Sequence, residues 1–81
     1  MASTPSARVT VYTAAGCHLC ERALDVVREV CGAGVAVVDI GGDPELERRY
    51  RERIPVVAVD GQDAFTYFVQ PDALRARLGT A

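Results

Sequence analysis

The sequence predicts an α/β domain with the element order β-α-β-α-β-β-α. Two observations support this order: short β-branched segments alternate with segments whose apolar residues recur at helical spacing, and Gly, Pro and Asp stand at the junctions. The chain has 81 residues, enough for one domain. A single domain is therefore expected over residues 8–81. The small, polar residues 1–7 are expected to form a flexible N-terminus.

The composition is that of a soluble globular protein. Hydrophobic residues make up 49% of the chain and charged residues 25%. The net charge of −2 argues against nucleic acid as a partner. No apolar segment approaches the roughly 20 residues of a membrane span, and the N-terminus lacks the apolar region of a signal peptide. The expected location is the cytoplasm, with no membrane contact.

The first half of the chain predicts a β-α-β unit. Residues 8–13 alternate and are rich in β-branched side chains, which is typical of a strand. Residues 17–30 carry an apolar stripe at helical spacing, and Gly32 and Gly34 end that helix. Residues 35–40 form a nearly continuous apolar run, which predicts a strand covered on both faces of a parallel sheet. The helix is then a right-handed crossover between two parallel strands.

The second half predicts a charged helix and a hairpin. Asp43 and Pro44 are typical of a helix start, so a helix is expected over residues 44–52. Residues 56–59 and 64–68 are expected to pair as a hairpin around Asp60-Gly61.

The last helix is expected to begin at Pro71 and to end at Gly79. Its apolar residues, Ala73, Leu74 and Leu78, are expected to face the core.

Cys17 and Cys20 stand three residues apart at the start of the first predicted helix. Residues with this spacing are neighbours on a helix surface, so the two thiols can form a disulfide without a large backbone movement. The helix dipole and the free N–H groups at this end favour a negatively charged group, which lowers the pKa of a thiol. The pattern indicates a dithiol redox site, with Cys17 as the nucleophile and Cys20 as the resolving thiol.

His18 and Cys31 are further candidates. An imidazolium at His18 would stabilise the Cys17 thiolate; the alternative is an exposed side chain with little influence. Cys31, at the end of the same helix, is expected to be a small core or semi-buried residue, with a regulatory or dimer-forming thiol as the alternative.

Two other roles for the cysteine pair stay open: inert buried thiols, and a metal or iron–sulfur role. Tetrahedral zinc needs four ligands, and Cys17, His18 and Cys20 have no obvious fourth, so no metal site is predicted within one chain. A cluster shared between two subunits is compatible with the sequence.

Two segments resemble glutaredoxins. The stretch from Val11 to Cys20, Val-Tyr-Thr-Ala-Ala-Gly-Cys-His-Leu-Cys, is similar to their first strand, loop and active site. The stretch Arg53-Ile54-Pro55-Val56 resembles the segment that carries a cis-proline facing that site. The chain most resembles the short bacterial glutaredoxin-like family with an Ile-Pro-Val signature, over residues 8–78. This resemblance implies a thioredoxin-like α/β fold, in which a four-stranded mixed sheet is flanked by three helices.

The resemblance also implies an activity, thiol–disulfide oxidoreduction, and a substrate site. The backbone of Ile54 and a cis Pro55 would face an incoming disulfide. Independently of the resemblance, Tyr12 and Tyr67 are expected to be packing residues with solvated hydroxyls, with a place for either in the substrate groove as the alternative. Asp72 matches the acidic residue that holds glutathione. Glutaredoxins usually carry a Lys or Arg where this chain has Ala14, and a Gly-Gly pair where it has none.

The expected partners are a disulfide-containing protein or small thiol and an electron donor, either a reductase or a small thiol. Glutathione or another low-molecular-weight thiol would be a co-substrate, and no bound cofactor is expected. A monomer is predicted. The rival hypothesis is an iron–sulfur or metal carrier, or a thioredoxin-fold binding protein without redox activity. Four arginines, Arg48, Arg49, Arg51 and Arg53, are predicted to form a solvated face rather than a binding patch, since Glu47 and Glu52 interrupt them.

Overall fold

A four-stranded mixed sheet with three helices forms the molecule. The computed structural model describes residues 8–32 and 34–79, so the expected flexible segment 1–7 lies outside the described residues. The elements are β1 (Val9–Thr13), α1 (His18–Cys31), β2 (Val35–Asp39), α2 (Pro44–Tyr50), β3 (Val56–Val59), β4 (Gln62–Thr66) and α3 (Pro71–Leu78). The strand order is β2-β1-β3-β4, with β1 and β2 parallel and the other pairs antiparallel. The predicted fold class and element order are confirmed.

The larger hydrophobic cluster packs α1 and α3 against one face of the sheet. Successive residues of a strand point to opposite faces, and this cluster takes Val9 and Val11 from β1 and Val57 and Val59 from β3. The helices contribute Ala23, Val27 and Leu74, and Val69 joins them from the loop before α3. This packing fixes α1, and with it the cysteine pair at its start, on the sheet.

A smaller cluster covers the opposite face beneath α2. Its buried members are Ile40, Tyr50 and Val56. Tyr12, Ala14, Leu46 and Ile54 pack against them and are partly exposed. The cluster therefore joins the loop that leads to Cys17 with the segment before β3.

The prediction that the second strand is covered on both faces is wrong. β2 lies at one edge of the sheet, and all five of its residues are at least partly exposed. Val37 in the middle of the strand is 42% exposed. A continuous β-branched run predicts a strand, but it does not show how many neighbours the strand has; here β1 takes the central position.

The fourth strand begins two residues earlier than predicted. Asp60 and Gly61, with φ of 53° and 84°, form a tight two-residue turn, and Gln62 pairs at once with Val59. A turn with positive φ at both central residues matches the twist of a hairpin. The strand ends at Thr66. Tyr67, with φ of 66°, begins a loop in which Phe68 is 67% exposed.

The helix boundaries differ from the predicted ones by one or two residues. α1 begins at His18 with Cys17 as its N-cap, and α2 ends at Tyr50. Ala73 is exposed rather than directed inward, because Leu74 and Leu78 lie four residues apart on one face of α3 and Ala73 falls outside that face. None of the helices in the described ranges is long and apolar enough to span a membrane.

Candidate active site at the start of helix α1

Cys17 is the N-cap of α1. Gly16, with φ of 78°, turns the chain from the β1 loop, and Cys17 has extended backbone angles. Its Sγ accepts a hydrogen bond from the backbone N–H of Cys20 at 3.1 Å. The sulfur thus occupies the position in which a side-chain acceptor satisfies a free N–H of the first turn. In the reduced protein, a thiolate at this position would accept the same hydrogen bond more strongly than a thiol.

The Cys17 and Cys20 sulfurs lie at disulfide distance, and their Cα atoms are 5.2 Å apart. Cys17 is half-buried, whereas Cys20 is 1% exposed. The first residue of the pair is therefore partly accessible from solvent, and the second is not.

Pro55 lies at the same end of the sheet as the loop to Cys17. Tyr12 pairs with Val56 in the antiparallel β1–β3 ladder, so Pro55 is level with the end of β1. The Ile54–Pro55 peptide bond is cis. The Pro55 carbonyl accepts a hydrogen bond from the backbone N–H of Tyr67 at 2.9 Å, which ties the segment before β3 to the loop before α3.

A groove of about 370 Å³ runs along α1 from Leu19. Tyr67 and Phe68 line its other side, in the loop before α3, and Arg22 and Asp25 are among its charged lining residues. The prediction placed Phe68 in a strand and missed its exposure. Two adjacent aromatic residues just before a Pro-initiated helix were the available signal.

The other candidate residues lie around this site in different ways. His18 is exposed at the first position of α1. Tyr12 is half-buried and stacks on Tyr50, with 4.4 Å between the ring centroids. Asp72 is exposed and pairs with Arg75 at 3.1 Å, and it is not among the groove's lining residues.

Two tyrosines near the site make defined polar contacts. The Tyr50 hydroxyl donates to Asp63 Oδ1 at 3.2 Å, and burial, followed by the nearby Asp63 carboxylate, raises the pKa of Tyr50. The Tyr67 hydroxyl donates to the Glu52 carbonyl at 2.5 Å. Both hydroxyls therefore act as structural donors. Across residues 8–32 and 34–79, no three His, Cys, Asp or Glu side chains are grouped as metal ligands.

The family model described as "Glutaredoxin-like domain (DUF836)" matches residues 8–79. This chain belongs to that glutaredoxin-like family. An uncharacterized protein of Mycobacterium tuberculosis, Rv0508, is 30% identical to it, over 85% of this chain and 79% of the relative.

Solved structures agree with this assignment. Protein XcR50 from X. campestris is 29% identical, with a TM-score of 0.77 over 90% of this chain and 97% of that one. Protein Ne2328 from Nitrosomonas europaea is 31% identical, with a TM-score of 0.69 over 98% and 99% of the two chains. A mutant thioredoxin from Halobacterium salinarum is 23% identical, with a TM-score of 0.56 over 86% of this chain and 69% of the thioredoxin. This likeness shows the thioredoxin fold alone. A glutaredoxin-like thioredoxin fold with its cysteine pair at disulfide distance suggests a redox function.

Proposed function

We propose that this glutaredoxin-like protein is a thiol–disulfide oxidoreductase that reduces protein or low-molecular-weight disulfides. The observation that carries the proposal is the asymmetry of the cysteine pair. Cys17 is half-buried and caps α1 through its sulfur, while Cys20 is fully buried at disulfide distance from it. Such an arrangement separates a nucleophile from a resolving thiol.

The reaction has two steps. The Cys17 thiolate attacks one sulfur of the substrate disulfide; a mixed disulfide forms, and the first substrate thiolate leaves and takes up a proton. Cys20 then loses its proton and attacks Cys17 Sγ, which releases the second substrate thiol and leaves the Cys17–Cys20 disulfide. Two electrons pass from the dithiol to the substrate. A thiol reductant, either a small thiol such as glutathione or a dithiol reductase system, restores the reduced pair.

The surroundings of the pair supply orientation. A substrate chain would lie across the backbone of Ile54 and Pro55, at the end of the sheet from which the Cys17 loop leaves. Tyr12 and Tyr67 would border it, and an imidazolium at His18 would add positive charge beside the Cys17 thiolate. Asp72 lies outside the groove, so a contact with glutathione through this residue finds no support in the geometry.

The test is a disulfide-reduction assay with three donors in parallel: glutathione with its reductase, a different small thiol, and thioredoxin reductase. Cys17→Ser should abolish turnover with the productive donor. Cys20→Ser should accumulate a mixed disulfide that mass spectrometry detects as a substrate adduct on Cys17, because the resolving thiol is missing. Cys31→Ser is the matched control and should retain turnover. Full activity of Cys17→Ser, or no turnover with any donor, would contradict the proposal.

A further inference from the structure

Strand β2 leaves one edge of the sheet open. It pairs with β1 on one side, and within residues 8–32 and 34–79 no strand pairs with its other side. None of its five residues is fully buried, and Val37 at the centre is 42% exposed. An open edge presents unpaired N–H and C=O groups that can pair with a strand of another chain.

The two edges of the sheet differ in their protection against such pairing. β4, at the opposite edge, carries the exposed and charged Asp63, and the β3–β4 ladder has a register shift between Val57 and Ala58. Charged side chains and irregular pairing are common ways in which proteins block an edge strand. β2 has the sequence Val-Ala-Val-Val-Asp, and its pairing with β1 is regular over all five positions. Only its last residue, Asp39, is charged, so β2 is the unprotected edge.

One hydrogen bond shows which backbone groups of β2 face the open edge. The N–H of Ile40, just past the strand, donates to the Thr13 carbonyl of β1 at 2.9 Å. Successive residues of a strand direct their backbone groups alternately to its two sides, so every second residue before Ile40 also points toward β1. The residues between them point away from β1, to the open edge. These outward residues are Val35, Val37 and Asp39.

We propose that β2 pairs with β2 of a second copy of this chain, antiparallel and with Val37 on the two-fold axis. In this register Val37 lies opposite Val37 of the second copy, and Val35 lies opposite its Asp39. Every outward N–H then meets an outward carbonyl, and the two exposed Val37 side chains contact each other. The same residues serve both copies, as a two-fold interface requires. This dimer takes the place of the monomer predicted from the sequence.

Charge favours the antiparallel register. A parallel pair of identical strands would place Asp39 opposite Asp39 of the second copy, and like charges directly opposite each other destabilise a sheet. In the antiparallel register the carboxylate lies opposite an apolar residue instead. Its Oδ1 already accepts a hydrogen bond from the Gly41 N–H at 2.8 Å, so pairing leaves this oxygen satisfied. The net charge of −2 per chain adds little repulsion between the copies.

The proposed dimer leaves the cysteine site free. Cys17 follows the end of β1, and β1 is parallel to β2. In an antiparallel pair these strand ends point in opposite directions, so the two cysteine sites lie at opposite ends of one continuous sheet. The inference is therefore independent of the proposed redox function. A single strand pair is a small interface, so we expect a dissociation constant of roughly 10 µM to 1 mM.

Amide hydrogen exchange, measured by NMR, tests the pairing residue by residue. The reduced protein is compared at concentrations well below and well above the dissociation constant that sedimentation equilibrium gives. The N–H groups of Val35, Val37 and Asp39 should exchange at least about fivefold more slowly in the concentrated sample, because they gain hydrogen-bond partners there. Those of Ala36 and Val38, which already face β1, should change little.

Sedimentation equilibrium on variants tests the contact itself. Val37→Lys places two like charges at the two-fold axis and should raise the dissociation constant at least about tenfold. Val37→Thr keeps a β-branched side chain and every backbone group, and should change the constant less than about threefold. Phe68→Lys is the matched control, because it makes the same change at an exposed apolar residue outside β2, and it should associate as the wild type does.

All samples contain a reductant and a metal chelator. The double variant Cys17→Ser/Cys20→Ser and the single variant Cys31→Ser should also associate as the wild type does, since no thiol takes part in the contact. Loss of the dimer in either cysteine variant would show a thiol-linked or cluster-linked dimer and overturn the inference. Loss in Phe68→Lys together with persistence in Val37→Lys would place the contact at the loop before α3 and overturn it as well.

Two further results would contradict the proposed pairing. A monomer at every concentration up to the solubility limit, with exchange rates that do not depend on concentration, would show that β2 does not pair with a second copy. Slow exchange of the outward N–H groups in the dilute monomer would show that the edge is covered within one chain. A dimer with slowed exchange at alternate residues of β2, lost in Val37→Lys and kept in Phe68→Lys, is the result expected.

Discussion

The two ends of helix α1 each carry a cysteine, in contrasting surroundings. At the first end, Cys17 caps the helix, and its sulfur accepts a hydrogen bond from the backbone N–H of Cys20. At the other end, Cys31 is half-buried and packs against the larger hydrophobic cluster. The helix has 14 residues and ends at Cys31, so the two cysteines are roughly 20 Å apart along its axis. The same side chain therefore experiences the positive end of the helix dipole in one case and the negative end in the other.

Burial adds to this difference. Loss of solvent raises the pKa of the Cys31 thiol, and the positive charge of Arg8 lowers it only in part. Arg8 has other partners: its guanidinium donates to both carboxylate oxygens of Asp60, at 2.9 and 2.8 Å, and to the Leu78 carbonyl at 3.2 Å. A cation that is already paired offsets little of the cost of a buried thiolate. We therefore expect position in the fold, rather than residue type, to make Cys17 more reactive than Cys31.

The largest expected effect is a difference in alkylation rate between the two thiols. In the reduced protein at about pH 7, Cys17 should react with iodoacetamide roughly 100-fold faster than Cys31, because the N-terminus of α1 favours the Cys17 thiolate, whereas desolvation raises the pKa of Cys31. Peptide mapping by mass spectrometry after short labelling times measures both rates in one sample. Equal rates, or faster labelling of Cys31, would remove the basis for assigning Cys17 as the nucleophile.

The sequence predicted this contrast because its causes are local. A Cys-x-x-Cys pair after a strand and a Gly-containing loop is sufficient to predict two thiols at a helix start, and Cys31 at the end of the same helix was predicted to be a core or semi-buried residue. The parallel β1–β2 pair and the hairpin likewise follow from elements that are adjacent in sequence.

Features that depend on long-range packing were not predicted. Arg8 and Asp60 are 52 residues apart, and nothing local to either residue indicates the contact. The edge position of β2 depends on which strand pairs with the far side of β1. In each case the missing information was tertiary contact rather than local preference.

A smaller effect should follow from Arg8→Gln. Because the Arg8 charge lowers the pKa of Cys31, its removal should raise that pKa further and slow alkylation of Cys31 at about pH 9 by a few-fold. Arg8→Lys keeps the charge and should give an intermediate rate. Arg28→Gln, which removes an exposed charge from the last turn of the same helix, is the control. A rate for Arg8→Gln equal to wild type would show that Arg8 does not act on Cys31.

The smallest effect concerns the Arg8–Asp60 pair and acid. The hydrogen bonds from Arg8, with its positive charge, lower the pKa of Asp60 below its ordinary value. A carboxylate with a lowered folded-state pKa stabilises the fold above its unfolded pKa, and this contribution is lost as the pH falls through the folded value. Asp60→Asn should therefore reduce the melting temperature slightly at about pH 7, and the difference from wild type should shrink as the pH falls and Asp60 takes up a proton.

Both side chains of this pair are about half exposed, 53% for Arg8 and 54% for Asp60, so solvent screens the interaction and the shift should be small. Asp63→Asn is a useful comparison for the melting temperature, because the Asp63 carboxylate accepts a hydrogen bond from the uncharged Tyr50 hydroxyl rather than from a cation. A loss for Asp60→Asn that persists at about pH 2 would mean that the carboxylate charge is not what stabilises the fold. The Arg8–Asp60 contact would then stabilise the fold through the geometry of its hydrogen bonds. The Arg8 charge would also lower the pKa of Cys31 more than its pairing with Asp60 indicates.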